Sequence, residues 1–129
     1  MRHFTARLAS ALARTDVATL RAGWWAARAL RALRRRLPES GLRARVPEPP
    51  PLPEHAVVGV RGLTVFARAT CLERSLLLQR WLAAHGRRHD VLVGVGGDTR
   101  RLAAHAWVEG YDPDAAADGY EVLTRVPAD

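Results

Sequence analysis

The chain has one cysteine, Cys71, near the head of the stretch ATCLERSLLLQRWLAAHG. Thirty-four positions later His105 sits in the alternating stretch AAHAWVEG. A thiol and an imidazole are the two groups covalent acyl chemistry needs: the thiolate attacks a carbonyl, and the imidazole takes a proton and later returns one. Singly, each is ordinary. A lone Cys in a leucine-rich helix is as a rule a small buried hydrophobe, and a lone His on a strand is as a rule structural. Their settings raise the joint reading. Thr70 and Glu73 form a T-x-x-E capping box, which puts Thr70 at the N-cap and Cys71 at the first helical position. A thiol there faces unpaired backbone N–H groups and the positive end of the helix dipole, and both favour the nucleophilic thiolate. The backbone N–H of Cys71 is also a candidate oxyanion donor. A base of this kind needs a third group to hold it. The chain contains no Asn, so a Cys-His-Asn set is excluded and the third group must be Asp or Glu. The turn after His105 offers Asp112, Asp114 and Asp118.

The elements that must position these groups follow from periodicity. Leu72, Leu76, Leu77, Leu78, Trp81 and Leu82 make the cysteine helix apolar around most of its circumference, so it belongs at the centre of a domain, and Gly86 is its natural stop. DVLVGVGG and LAAHAWVE read as strands, with His105 and Trp107 on one face and Ala104, Ala106 and Val108 on the other. YEVLTRV reads as a third strand after an acidic turn. Residues 55–69 read as a short apolar helix, weakened by Gly59 and Gly62. Val46–Glu54 holds five prolines and reads as an extended linker. Before it, residues 16–37 read as a helix with Ala22, Ala26, Leu30, Leu33 and Leu37 along one face. Residues 2–13 form a candidate shorter helix. The organisation is therefore a helical basic N-terminal extension (1–45), a proline-rich linker (46–54) and a core (55–129), of α+β class.

All 20 basic residues are Arg, and the formal net charge is +7. Residues 1–45 carry 11 Arg against Asp16 and Glu39, a balance of +9, so the basic excess belongs to this third of the chain. Arg21, Arg28, Arg31 and Arg35 lie opposite the apolar face, with Trp24 among them. This fits an acidic or anionic partner as well as a solvated helix face. One Cys rules out an internal disulfide and a Cys-rich zinc site, and it fits a reducing, cytoplasmic setting. A metal held by His85, His89 and Cys71 would need three separate positions to converge. His3 and His55 have no partner pattern.

ATCLERSLLL followed by LAAHAWVEG resembles the transglutaminase-like peptidase half of the B protein of lasso-peptide biosynthesis, over about residues 55–125. The resemblance implies a papain/transglutaminase-like core, with the Cys helix packed on a small antiparallel sheet. It implies a cysteine peptidase that removes the leader from a ribosomal precursor, with Cys71 as nucleophile and His105 as base. The family's acid falls about a dozen residues beyond the His, which implies Asp118. Asp112 and Asp114 flank Pro113 and are expected at the tip of the turn, whereas Asp118 precedes a strand expected to return alongside residues 103–109. No metal or nucleotide is needed for the hydrolysis. Residues 1–45 are too short and too helical for a fused leader-binding domain, so the resemblance implies a separate leader-binding protein (a RiPP recognition element) beside the precursor, and a separate lasso cyclase. Trp24, Arg28 and Arg31 are the expected docking residues for such partners. Two alternatives remain: acyl transfer to an amine through the same thioester, and a non-catalytic protein that binds through its basic helix. Nucleic acid is the weaker partner for that helix, because its arginines lack interleaved stacking aromatics.

Overall fold

The structure is a computed structural model that describes residues 2–98 and 101–128, with side chains described over 17–96 and 102–128. His3 therefore lies outside the described side chains. Alanine- and leucine-rich sequence carries α1 from Arg2 to Ser40 without interruption. The two helices expected at 2–13 and 16–37 are thus one. Pro38 falls in its last turn, where losing one i→i−4 hydrogen bond shortens the helix by little. The expected stripe is on the inside: Ala22, Ala26, Leu30 and Leu33 are buried and Leu37 is half-buried against them.

A 3-10 turn over Glu54–Ala56 leads into α2, Val57–Phe66. Gly59, expected to weaken this helix, is what lets it approach α1. A Cβ there would stand 2.0 Å from the Thr19 carbonyl oxygen and 3.0 Å from the Gly23 nitrogen. The two helices cross backbone to backbone. Next, α3 runs from Cys71 to Ala84, capped as its sequence predicts and stopped at Gly86 with φ +77. Leu76, Leu77, Leu78, Trp81 and Leu82 are all buried, and the Trp81 ring lies 5.8 Å from that of Trp25 on α1. The described part of 1–45 and the segment 55–128 share this single core, so α1 is a wall of the domain and not an appendage to it. The proline segment has no regular secondary structure, yet it is seated: Leu52 is buried, and its carbonyl oxygen lies 2.8 Å from His85 Nε2.

The sheet has three antiparallel strands, β1 (Val91–Asp98), β2 (Arg101–Val108) and β3 (Glu121–Val126), in the order β2-β1-β3. Gly94 faces His105 across the β1–β2 ladder. The β3 strand pairs with β1, with a register shift at Val93/Gly94, so it does not return alongside 103–109 as the sequence reading expects. A two-residue-period pattern reveals which residues share a face, but not which strand sits in the middle. Val91, Ala106 and Val108 face α3 and the main core. Leu92 and Trp107 face the other way, in a second small cluster with Ala115 and Tyr120. Among the described residues no helix is long and apolar enough to cross a membrane.

Candidate active site around the head of helix α3

Cys71 is the first residue of α3, half-buried, its thiol unbridged. Both arms of the capping box are formed. The Thr70 N–H donates to Glu73 Oε1 at 2.9 Å, and the Glu73 N–H donates to Thr70 Oγ1 at 3.1 Å. The helix head is then held by two guanidinium groups. Arg34 on α1 donates through Nε to Glu73 Oε2 at 3.0 Å and through Nη2 to Glu73 Oε1 and the Ala67 carbonyl oxygen, both at 3.3 Å. Arg74 donates through Nη2 and Nη1 to the two oxygens of Asp112 at 2.9 and 3.3 Å. Asp112 also accepts from the Val108 N–H at 2.9 Å, which ties the end of β2 to the first turn of α3. Burial pushes the Glu73 carboxyl up, but Arg34 and Thr70 outweigh it and hold the group below the usual carboxylate range. Burial acts on Asp112 in the same way, and Arg74, the Val108 N–H and nearby Arg61 hold it low.

The E and R of C-L-E-R-S-L are thus the clamps of the helix head; the sequence reading gives Glu73 its cap but misses its pairing with Arg34 and the role of Arg74. The available signal was charge in a helix that must be buried: Glu73 is 6% exposed, and such a group needs a partner. Asp112 likewise is not at the open tip of its turn. It is committed to Arg74 and to the backbone, while Asp114 caps the 3-10 turn Ala115–Asp118 by accepting from the Ala116 N–H. Asp118 is exposed, and its carboxylate accepts no hydrogen bond among the described residues.

His105 is half-buried on edge strand β2, on the face with Trp107. Its ring stacks on Trp107 with centroids 5.8 Å apart and lies 5.1 Å from the ring of Tyr120. Two glycines of β1 leave room for this aromatic group. A Cβ on Gly94 would come within 3.0 Å of the Trp107 ring, and one on Gly96 within 2.8 Å of Tyr120. Cys71 packs instead against the core on the other face. No hydrogen bond joins Cys71 to His105, or His105 to Asp118, among the described residues. The neighbour that the structure gives His105 is Tyr120, a residue the sequence reading did not weigh.

The remaining histidines with described side chains and polar contacts do structural work. The ring nitrogens of His85 lie 2.8 Å from the carbonyl oxygens of Trp81 and Leu52, and His89 Nδ1 lies 2.9 Å from that of Glu109. No group of three His, Cys, Asp or Glu suited to a metal ion occurs among the described residues. Trp24 is 69% exposed, and Arg28 and Arg31 are exposed beside it.

A family model described as Transglut_core3, transglutaminase-like superfamily, matches residues 11–125. Comparison with curated proteins and with solved structures gives no match.

Proposed function

The chain belongs to the transglutaminase-like superfamily, which includes cysteine peptidases and acyltransferases, and from that premise we propose that it is a cysteine peptidase that removes the leader from a ribosomal lasso-peptide precursor. The observation that carries the chemistry is Cys71 at the first position of a fully capped helix whose head is clamped by Arg34 and Arg74. Such a helix head presents backbone N–H groups at a fixed place, so charge that develops on a substrate oxygen meets donors that need not reorganise. The Cys71 sulfur bonds to the scissile carbonyl carbon, and the resulting tetrahedral oxyanion collapses to a thioester as the amine leaves with a proton. Water then adds to the thioester, and the acid and the free thiol are released. His105 carries the protons in both halves. That role comes from the resemblance of H-A-W-V-E, and because His105 stacks on Trp107 and Tyr120 on the sheet face away from Cys71, it requires strand β2 to rearrange and not only the imidazole to turn. Asp118 holds the imidazole on the same resemblance. The reading places the protein in the cytoplasm, beside a leader-binding protein and a cyclase.

The test is mass spectrometry of a lasso precursor after incubation with the chain and a leader-binding protein. Separated leader and core, gaining one water between them, are the expected products, and Cys71→Ala yields neither. Cleavage that persists in Cys71→Ala removes the peptidase reading. A product joined to an added amine, in place of free acid, assigns acyl transfer instead.

A further inference from the structure

We propose that the groove between α1 and the proline segment is a docking site for an acidic peptide segment that carries an apolar anchor side chain. The groove has a volume of about 1320 Å³. One wall is α1, with Leu20, Trp24 and Arg28 on it; the other is the run from Pro47 to Leu52. Its floor is Trp25 and Ala29.

Three observations fix the chemistry of the occupant. First, Val17, Leu20 and Trp24 are 59%, 72% and 69% exposed, at i, i+3 and i+7 of one helix. They form an apolar stripe in water with no partner among the described residues, on a helix whose opposite stripe already fills the core. Contiguous exposed apolar surface of this kind marks interaction sites, and Trp and Arg are among the residues enriched at binding hot spots. Second, the charge is of one sign on the helix side. Arg21 and Arg28 line the groove and form no ion pair among the described residues, so two guanidinium forks are available to carboxylates. Third, the opposite wall contributes prolines and one acid, Glu48, whose Oε1 lies 3.9 Å from Arg80. A polyanion such as RNA would meet that carboxylate and a single exposed aromatic, where it needs a basic track and repeated stacking platforms. A peptide with spaced acids and one apolar anchor can set its acids on Arg21 and Arg28 of the helix wall and its anchor between Trp24, Leu20 and the prolines, clear of Glu48. The groove shares no lining residue with the cysteine site, so binding can be read without turnover.

The experiment uses the full chain, immobilised, against a display library of random short peptides. Trp24→Ala and the double variant Arg21→Glu/Arg28→Glu serve as comparison baits. All three residues are exposed, and thermal melts of both baits check that the fold is kept. The expected result is enrichment of acidic sequences containing an aromatic or aliphatic residue. Selected peptides should bind each variant at least about tenfold more weakly, and should bind the wild type more weakly as salt rises. Enrichment of basic or uncharged sequences, no enrichment over background, or undiminished binding to both folded variants overturns the proposal. So does tight, steeply salt-dependent binding of a single-stranded RNA oligonucleotide that the double variant loses and Trp24→Ala keeps. A concentration-dependent dimer in sedimentation that Trp24→Ala abolishes would assign the groove to a second copy of the chain instead.

Discussion

Arg74 grips Asp112 through both carboxylate oxygens, and the pair joins the first turn of the cysteine helix to the end of strand β2. The Asp112 side chain is 10% exposed and that of Arg74 36%, so this is a clamp and not a solvated surface pair. Asp112→Ala strips Arg74 of its partner and leaves the Val108 N–H unpaired. A loss of about 2–3 kcal/mol in urea unfolding is expected. Asp112→Asn, which can still accept from Val108, should lose less. Unchanged stability in Asp112→Ala would mean that the clamp is not formed in solution.

Acid should loosen the fold through the same groups. Glu73 and Asp112 have carboxyls held below their ordinary range. Their folded forms therefore bind protons less readily than the unfolded chain. The stability they contribute is complete above the unfolded values, near pH 4, and is lost as pH falls through the lower folded values. Urea midpoints measured from pH 7 downward should be flat with respect to these groups until about pH 4 and then fall. The fall should be shallower in Asp112→Asn.

Gly59→Ala should be among the most damaging single-methyl changes in the protein. The added carbon would lie 2.0 Å from the Thr19 carbonyl oxygen, and the obstacle is backbone. The helices must separate or tilt, at a cost of roughly 3 kcal/mol. A melting temperature lower by about 10 °C is expected. Gly62→Ala, which meets nothing within 4 Å on the same helix, is the matched control and should be neutral or mildly stabilising.

The proposed acid–base pair separates by kinetics. His105→Ala should lower the cleavage rate at least about 100-fold with little change in substrate affinity. Asp118→Ala should do likewise if it orients the imidazole. Near-normal turnover in Asp118→Ala removes that residue from the mechanism and leaves Cys71 in place. Near-normal turnover in His105→Ala transfers the proton work to another group.

What the sequence disclosed about this fold is what short-range physics determines. The capping box at Thr70, the stop at Gly86, the buried stripe of α1 and the two faces of β2 are each written in a few neighbouring residues, and the structure shows all of them. The sequence hid what depends on distant pairing. The central place of β1 is one case, the close approach at Gly59 another. Gly59 looks like a helix weakness until Thr19 is brought against it, and Asp112 looks like a turn residue until Arg74 reaches it across 38 positions. The proline run also misleads when read alone. Prolines exclude regular structure, but they do not prevent a segment from lying against a helix.

Helix α3 also acts as a ruler. Its head carries the thiol, and its tail, Ala84 with His85, lines the groove beside α1. Thirteen residue steps separate Cys71 from Ala84, which at 1.5 Å each is about 20 Å. An extended peptide covers that distance in about six residues. A chain anchored at the Ala84 end of the groove and cut at Cys71 would therefore span about that many residues between its anchor and its scissile bond, and one anchored nearer Ala32 would span fewer.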